Sequence, residues 1–239
     1  MSVDERLRVV VRGPRTDVVF DHPPLNIYDV AMRDELCDAL TGVIADARVR
    51  ALVFRAAGDH FSAGADLREF GTAPSLFAMR DARWGRDVWG LLQAVEVPMI
   101  TAVHGYTVGF GYELALHCDF RIAADDTVVA LPEARIGMIP AGGATQTLPR
   151  LVGAGVALRA VLSAEHVGAP EGLAAGLVDD VVPRASLDER VDALVERLVA
   201  APPDALRAAR ALVRSARDLP AEVGLRREAV LARLLTGRD

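Results

Sequence analysis

The sequence contains few of the residues that build several common classes of binding site. Its 239 residues include only two cysteines, Cys37 and Cys118, and no CxxC motif. This scarcity argues against a cysteine-rich zinc module and is typical of proteins from a reducing compartment, so we expect a cytoplasmic protein. The formal net charge of −6 argues against a nucleic-acid partner, because proteins that bind a phosphate backbone present a basic surface.

Long hydrophobic runs are also missing. No apolar run approaches the roughly 20 residues that cross a bilayer, so we expect no membrane partner. The first residues, MSVDERLRVVV, place acidic side chains before the first apolar run, which is unlike a signal peptide. Aromatic residues make up only 5% of the chain although 51% is hydrophobic, so the expected core consists mainly of Ala, Val and Leu.

The order of apolar and polar residues predicts an α/β fold. Two short β-rich runs flank Gly13-Pro14 as a hairpin, residues 29–47 have helical spacing, and residues 51–57 form a largely apolar strand. From residue 154 the chain is rich in Ala, Leu and Arg and is predicted to be helical, with one further strand after Gly176. We therefore expect a body over residues 1–184 and a helical appendage over residues 185–239.

Two carboxylates are the first candidates for chemistry. Glu113 precedes the apolar run Leu-Ala-Leu, so its carboxylate is directed into the protein and must be paired, hydrogen-bonded or shifted in pKa. Any of these outcomes can produce a catalytic acid or base, although an acid in a first helical turn also serves as a simple cap. Glu133 follows a strand and a proline, a position that by itself favours a solvated loop acid over a catalytic one.

Two glycine-bearing turns, at residues 62–66 and 105–111, each follow a strand and open a helix. Backbone N–H groups at a helix start lack intrahelical acceptors, so two adjacent turns could direct two N–H groups at one oxygen as an oxyanion hole. The alternative is that both are ordinary turns that need glycine for its backbone conformation. No dinucleotide-type GxGxxG or GxxxxGK[ST] motif is present.

Other polar residues near these turns give weaker signals. His60, His104 and His117 have no metal-ligand partner at helical spacing, so no metal site is expected. Ser62 lacks the GxSxG context of a nucleophile elbow. Arg68 is typical of a solvated helix face, but beside an oxyanion turn it could contact a ligand phosphate.

Three segments together resemble the crotonase (enoyl-CoA hydratase/isomerase) superfamily, and most closely an enoyl-CoA hydratase. They are FSAGADLREF, AVHGYTVGFGYELALHCDFRIA and LPEARIGMIPAGGATQTLPRLVG, and GLVDDVVP is similar to a further family segment. The resemblance implies a spiral of ββα repeats with a C-terminal helical trimerisation region, hence a homo-trimer or hexamer. It also implies an acyl-CoA thioester substrate and no separate cofactor, since coenzyme A is part of that substrate.

The resemblance also assigns roles. The backbone N–H groups of Ala65 and Phe110 would form the oxyanion hole, Glu113 would activate water, and Glu133 would protonate the α-carbon during hydration of a 2-enoyl-CoA. The remaining residues expected to line the substrate and CoA path are Ala63, Gly64, Asp66, Leu67, Arg68, Gly109, Pro140 and Ala141.

Some positions depart from the family pattern. Phe110, Ala141 and Ala144 stand where many hydratases have glycine, and the loop at residues 71–87, expected to form an acyl-pocket wall, carries Phe77, Met79 and Trp84. These positions and this loop do not identify the acyl chain of the substrate. Two alternatives also remain: another reaction through the same enolate, such as double-bond isomerisation, decarboxylation or hydrolysis, or a non-catalytic acyl-CoA-binding protein.

Overall fold

The computed structural model describes residues 5–70, 75, 80 and 85–237. Its strands are β1 Leu7–Arg12, β2 Arg15–Phe20, β3 Ala51–Ala56, β4 Met99–Val103, β5 Tyr106–Val108, β6 Phe120–Ala124, β7 Val128–Ala130, β8 Val167–Gly168 and β9 Asp180–Val182. Its α-helices are α1 Val30–Ala45, α2 Leu67–Phe70, α3 Val88–Ala94, α4 Phe110–His117, α5 Ala144–Leu158, α6 Ala169–Ala175, α7 Leu187–Ala200, α8 Pro203–Ser215 and α9 Ala221–Thr236.

The larger sheet contains six strands in the order β1-β2-β3-β4-β6-β9. β1 and β2 pair antiparallel as the predicted hairpin, and the other neighbours pair in parallel. A second sheet has the order β5-β7-β8. The predicted α/β class is confirmed, and the predicted strand after Gly176 is β9.

Helices cover both faces of the larger sheet. Leu52 and Phe54 of β3 belong to the main core, which includes α1, whereas Ala51 and Val53 pack in a second cluster with α7. Successive side chains of a strand point to opposite faces, so residues 51–54 of β3 are all apolar because both faces are buried there, whereas Arg55 near its end is half-buried.

Helix α1 shows how local sequence sets an element. The side chain of Asp29 accepts a hydrogen bond from the Met32 N–H at 2.8 Å, which satisfies a donor that the helix itself cannot. Met32, Leu36 and Leu40 are fully buried on one face. The predicted helix over residues 29–47 is therefore confirmed to within two residues.

Short parallel bridges hold the first glycine turn beside the second sheet. Tyr28 pairs with Ala65, and Ser62 pairs with Thr107 of β5. Strand β5 leads directly into α4, so the two glycine turns lie next to each other at the start of that helix.

The last part of the described chain is helical, as predicted. Helix α7 packs on the larger sheet through Val191, which is fully buried, while α8 and α9 pack against each other. The boundary at residue 184 stays a prediction. Among the helices in the described ranges, none combines the length and the apolar character that crossing a membrane requires.

Candidate active site

The two glycine turns are in van der Waals contact. A Cβ atom built on Gly109 would lie 3.7 Å from the Gly64 Cα, and one built on Gly64 would lie 3.5 Å from the Val108 carbonyl oxygen. Both glycines have positive φ angles, +52° and +111°, which side-chain-bearing residues rarely adopt. Glycine therefore permits both the backbone conformation and the close approach of the turns.

The backbone N–H groups of Ala65 and Phe110 lie at this junction. In the bridge to Tyr28, the hydrogen bonds use the carbonyl of Gly64 and the N–H of Asp66, so the Ala65 N–H is directed away from that pairing. Phe110 is the first residue of α4, and its N–H therefore has no acceptor within the helix. Within the described residues, neither N–H group has a hydrogen-bond acceptor. The arrangement can present two donors to one oxygen.

Glu113 is buried and accepts hydrogen bonds from a distant part of the chain. Its Oε1 accepts from the N–H of Gly142 at 2.7 Å and from the N–H of Ala144 at 3.3 Å. Ala144 begins α5, so the carboxylate lies at the positive end of that helix rather than capping its own. These donors stabilise negative charge on Glu113 and fix the orientation of its carboxylate.

Glu133 has the opposite environment. It begins a 3₁₀ turn over Glu133–Ile136, and its Oε1 would lie 3.1 Å from a Cβ on Gly109. Its Oε2 is buried and has no hydrogen-bond partner among the described residues. Burial raises the pKa of this carboxyl group above its ordinary value because a buried charge loses hydration. The site therefore pairs a hydrogen-bonded carboxylate with a carboxyl group whose pKa is raised by burial.

The Phe110 side chain lies in an aromatic cluster. It is 4% exposed, its ring stacks on Tyr28 with centroids 3.7 Å apart, and the rings of Phe20 and Trp89 lie at 6.1 and 5.8 Å. The ring is thus part of the hydrophobic core while its N–H belongs to the junction of the turns. Position 110 can therefore hold phenylalanine in place of glycine, because the aromatic cluster accommodates the ring.

The other predicted substrate residues differ in exposure. Ala63 is half-buried, Gly64 and Pro140 are buried, and Ala141 and Leu67 are exposed. The Arg68 guanidinium is exposed and donates to the Asp66 carboxylate at 2.6 Å, which lowers the pKa of Asp66. The predicted pocket-wall residues Phe77, Met79 and Trp84 lie outside the described residues. The roles of all these residues remain predictions.

Comparison with known proteins gives this geometry a family. A family model described as enoyl-CoA hydratase/isomerase matches residues 16–234. The chain belongs to the enoyl-CoA hydratase/isomerase family. Among its relatives, the 2,3-dehydroadipyl-CoA hydratase of Escherichia coli (strain K12) is 34% identical over 214 residues, covering 90% of this chain and 83% of the relative.

Solved structures show the crotonase fold over almost the whole chain. Pseudomonas aeruginosa DspI is 33% identical with a TM-score of 0.90, and the match covers 100% of this chain and 98% of that one. An enoyl-CoA hydratase from Bacillus anthracis is 29% identical with a TM-score of 0.89, and the match covers 95% and 90% of the two chains. The predicted fold and family resemblance are confirmed.

Sequence reasoning missed the groups that support Glu113 in this family member. His117 lies one helical turn after Glu113, and its Nε2 is 2.7 Å from the carbonyl oxygen of Gly142, whose N–H binds Glu113. The His117 ring stacks on Trp89, with centroids 5.2 Å apart. The spacing of four residues between Glu113 and His117 can be read from the sequence, but their contacts with the turn at Gly142 cannot.

Two residues near the first turn have structural tasks. The Ser62 hydroxyl donates to the Asn26 carbonyl at 2.8 Å and accepts from the Gly64 N–H at 3.2 Å. The Asn26 amide donates to the carbonyls of Ala57 and His60. Ser62 therefore holds the turn in shape and is not placed as a nucleophile. Asn26 is a supporting residue that the sequence pattern did not reveal.

Proposed function

We propose that this protein adds water to 2-enoyl-CoA thioesters to form 3-hydroxyacyl-CoA. The observation that carries the proposal is the pair of carboxyl groups in opposite environments around the two adjoining turns. Acid–base couples are recognised by surroundings that push their pKa values apart. The hydratase named among the relatives also supports this reaction class.

In the proposed mechanism, the thioester oxygen accepts hydrogen bonds from the N–H groups of Ala65 and Phe110. Hydration at the β-carbon creates an enolate whose negative charge develops on this oxygen. Donors that are already oriented stabilise such charge without reorganising, which makes them effective in the transition state. The C–S bond of the thioester stays intact.

Glu113 acts as the base in this proposal. Its Oε1 is held by the Gly142 and Ala144 N–H groups, which keep the carboxylate oriented. It accepts a proton from the attacking water as the oxygen of that water bonds to the β-carbon. Glu133 then donates a proton to the α-carbon, a role that the upward shift of its pKa by burial favours.

The proposed CoA path runs over Ala63, Gly64 and Asp66 to Arg68, with Gly109, Pro140 and Ala141 closer to the acyl group. Leu67, which is 48% exposed, offers an apolar surface beside this path. The reaction needs only the side chains, backbone N–H groups and water, so we propose no separate cofactor.

We also propose that the protein assembles as a homo-trimer or as a hexamer of two trimers. Helix α9 leaves large apolar side chains exposed, namely Leu225, Val230, Leu234 and Leu235. Exposed apolar faces of this kind mark association surfaces.

We also propose a cytoplasmic location. Both cysteines are free and buried, which supports this location.

The deciding experiment follows the loss of the enoyl-thioester ultraviolet absorbance of crotonyl-CoA with wild type, Glu113→Gln and Glu133→Gln. Removing a general acid or base is expected to lower kcat about 10²–10⁴-fold in each variant. Glu222→Gln is the matched control, because Glu222 is 80% exposed and pairs with Arg226 on α9. Its turnover should equal that of the wild type.

A parallel assay with a 3-enoyl-CoA separates the alternatives. Faster turnover of the 3-enoyl than of the 2-enoyl thioester would replace hydration by double-bond isomerisation. A protein that binds CoA thioesters but turns over neither of these substrates, nor longer or branched 2-enoyl-CoA thioesters, would fit the non-catalytic alternative.

A further inference from the structure

Helices α8 and α9 and the body enclose a cleft of about 840 Å³. Its other walls come from the end of α3, the end of α4 and the start of α5. We call it the arginine cleft, because six arginines line it: Arg150, Arg207, Arg210, Arg214, Arg217 and Arg227.

The arginine cleft has a large local excess of positive charge. Only two carboxylates, Glu96 and Asp218, are among its lining residues, although the whole chain carries a net charge of −6. Concave surfaces lined by one sign of charge focus the electrostatic field and concentrate ions of the opposite sign. Such an excess in an acidic protein is a local feature that the overall composition hides.

Neighbouring carboxylates compensate this charge incompletely. Asp119 lies beside the cleft arginines, and its Oδ2 accepts from the Arg210 Nε at 2.6 Å. The Arg210 Nη2 is buried without a hydrogen-bond partner among the described residues, and so is the Arg214 Nη1, which lies 3.8 Å from Asp119 Oδ1. Burial, and next the charge of Arg210, lower the pKa of Arg214 below its ordinary value.

Two further cations add to the excess. Over the part of the chain that the structure describes, no carboxylate lies within ion-pair distance of Arg217 or Arg227. A guanidinium group matches carboxylate and phosphate oxygens with paired N–H donors, so several arginines around one cleft favour an oxyanion over chloride.

The arginine cleft also adjoins the support of the proposed base. His117 lines the cleft, and its Nε2 lies 2.7 Å from the Gly142 carbonyl oxygen. The Gly142 N–H in turn binds Glu113. One side chain and one peptide group therefore separate the cleft from the catalytic carboxylate.

We propose that the arginine cleft is a binding site for the carboxylate or phosphate group of a small anion. The group has two possible sources, a free anion or the far end of an acyl chain bound at Glu113 and Glu133. The second source rests on the proposed function, and the first does not.

The test of the site is isothermal titration of the full-length protein with inorganic phosphate and with adipate, in a buffer without other oxyanions. Saturable binding of at least one anion is expected, at least about tenfold weaker in Arg214→Gln because a charge-assisted hydrogen bond is lost. Arg226→Gln is the control, since Arg226 lies outside the cleft and pairs with Glu222. Its affinity should match that of the wild type.

Arg217→Gln is a second test variant, expected to weaken binding in the same direction, and thermal unfolding of each variant verifies its fold. Arg210 is left unchanged because it also holds Asp119 and the Val95 carbonyl. Absence of saturable binding of both anions would overturn the proposal, as would equal affinities in the wild type and both cleft variants.

A kinetic experiment identifies the source. It uses two 2-enoyl-CoA thioesters of equal chain length, one ending in a methyl group and the other in a carboxylate. A fall of about tenfold in kcat/KM of Arg214→Gln for the carboxylate-ended substrate alone assigns the site to the acyl chain. Unchanged kinetics on both, with phosphate binding lost, assign it to a free anion. Failure of the wild type to hydrate either thioester would refute the proposed function, and the titration would still decide the site.

Discussion

Replacing Gly142 with alanine tests the support of Glu113 directly. A Cβ atom at this position would lie 2.3, 2.5 and 2.8 Å from three ring atoms of Trp89, far inside van der Waals contact. The turn or the indole must retreat by roughly 1 Å, and overpacking of this kind costs about 1–3 kcal/mol of the free energy of unfolding. The indole cannot move freely, because it stacks on His117 and contacts Phe110.

Displacement of the turn also moves the N–H that binds Glu113. A misplacement of about 1 Å in a catalytic group can lower kcat about a hundredfold, so Gly142→Ala is expected to be less stable and far less active. Chemical unfolding and the crotonyl-CoA assay measure the two effects. Gly155→Ala is the matched control, since Gly155 lies in α5 with nothing within 4 Å of its Cβ position. It should gain up to about 1 kcal/mol and keep its activity.

A double variant tests whether the clash with Trp89 causes the loss of stability in Gly142→Ala. In a Trp89→Leu background the steric conflict is gone, so Gly142→Ala should cost less stability there, with a coupling energy of about 0.5–3 kcal/mol. Wild-type stability and activity in the single variant would refute the described contact between the turn, Trp89 and Glu113. Additive effects would show that the conflict lies elsewhere.

Two further predictions concern the site. Because burial raises the pKa of Glu133, the folded state binds this proton more tightly than the unfolded state, and the resulting stability is lost as pH rises through the raised pKa. The free energy of unfolding of the wild type should therefore fall relative to Glu133→Gln as pH increases from the ordinary carboxyl range, and a pH-independent difference would contradict the burial argument. Phe110→Ala and Phe110→Pro both remove the buried ring, at about 3–5 kcal/mol, but only proline removes the N–H. Proline is tolerated at a first helical position, so kcat should be about 10²–10³-fold lower in Phe110→Pro than in Phe110→Ala, and equal kcat values would exclude this N–H from the oxyanion hole.

Local patterns predicted much of the fold. The Gly13-Pro14 hairpin, helix α1 and the strand after Gly176 all follow from short-range rules of turns and periodicity. The burial of Glu113 was also expected, because the apolar residues after it direct that part of the helix into the core.

The surroundings of these residues depend on contacts between distant segments. The donors to Glu113 come from the start of α5, 29 and 31 residues later in the chain. The junction of Gly64 with Gly109 exists because a parallel bridge joins Ser62 to Thr107. Short-range rules carry no information about such pairings, so the resemblance to a family supplied the roles that spacing alone left open.

The sequence by itself determined the type of element at most positions and the residue types at the site, because backbone sterics, capping and apolar periodicity act over a few residues. Only the tertiary structure decided which carboxyl group receives N–H donors and which loses its hydration. It also gathered arginines from α5, α8 and α9 around one cleft. Burial and electrostatic interaction depend on distance in space, and packing alone sets that distance.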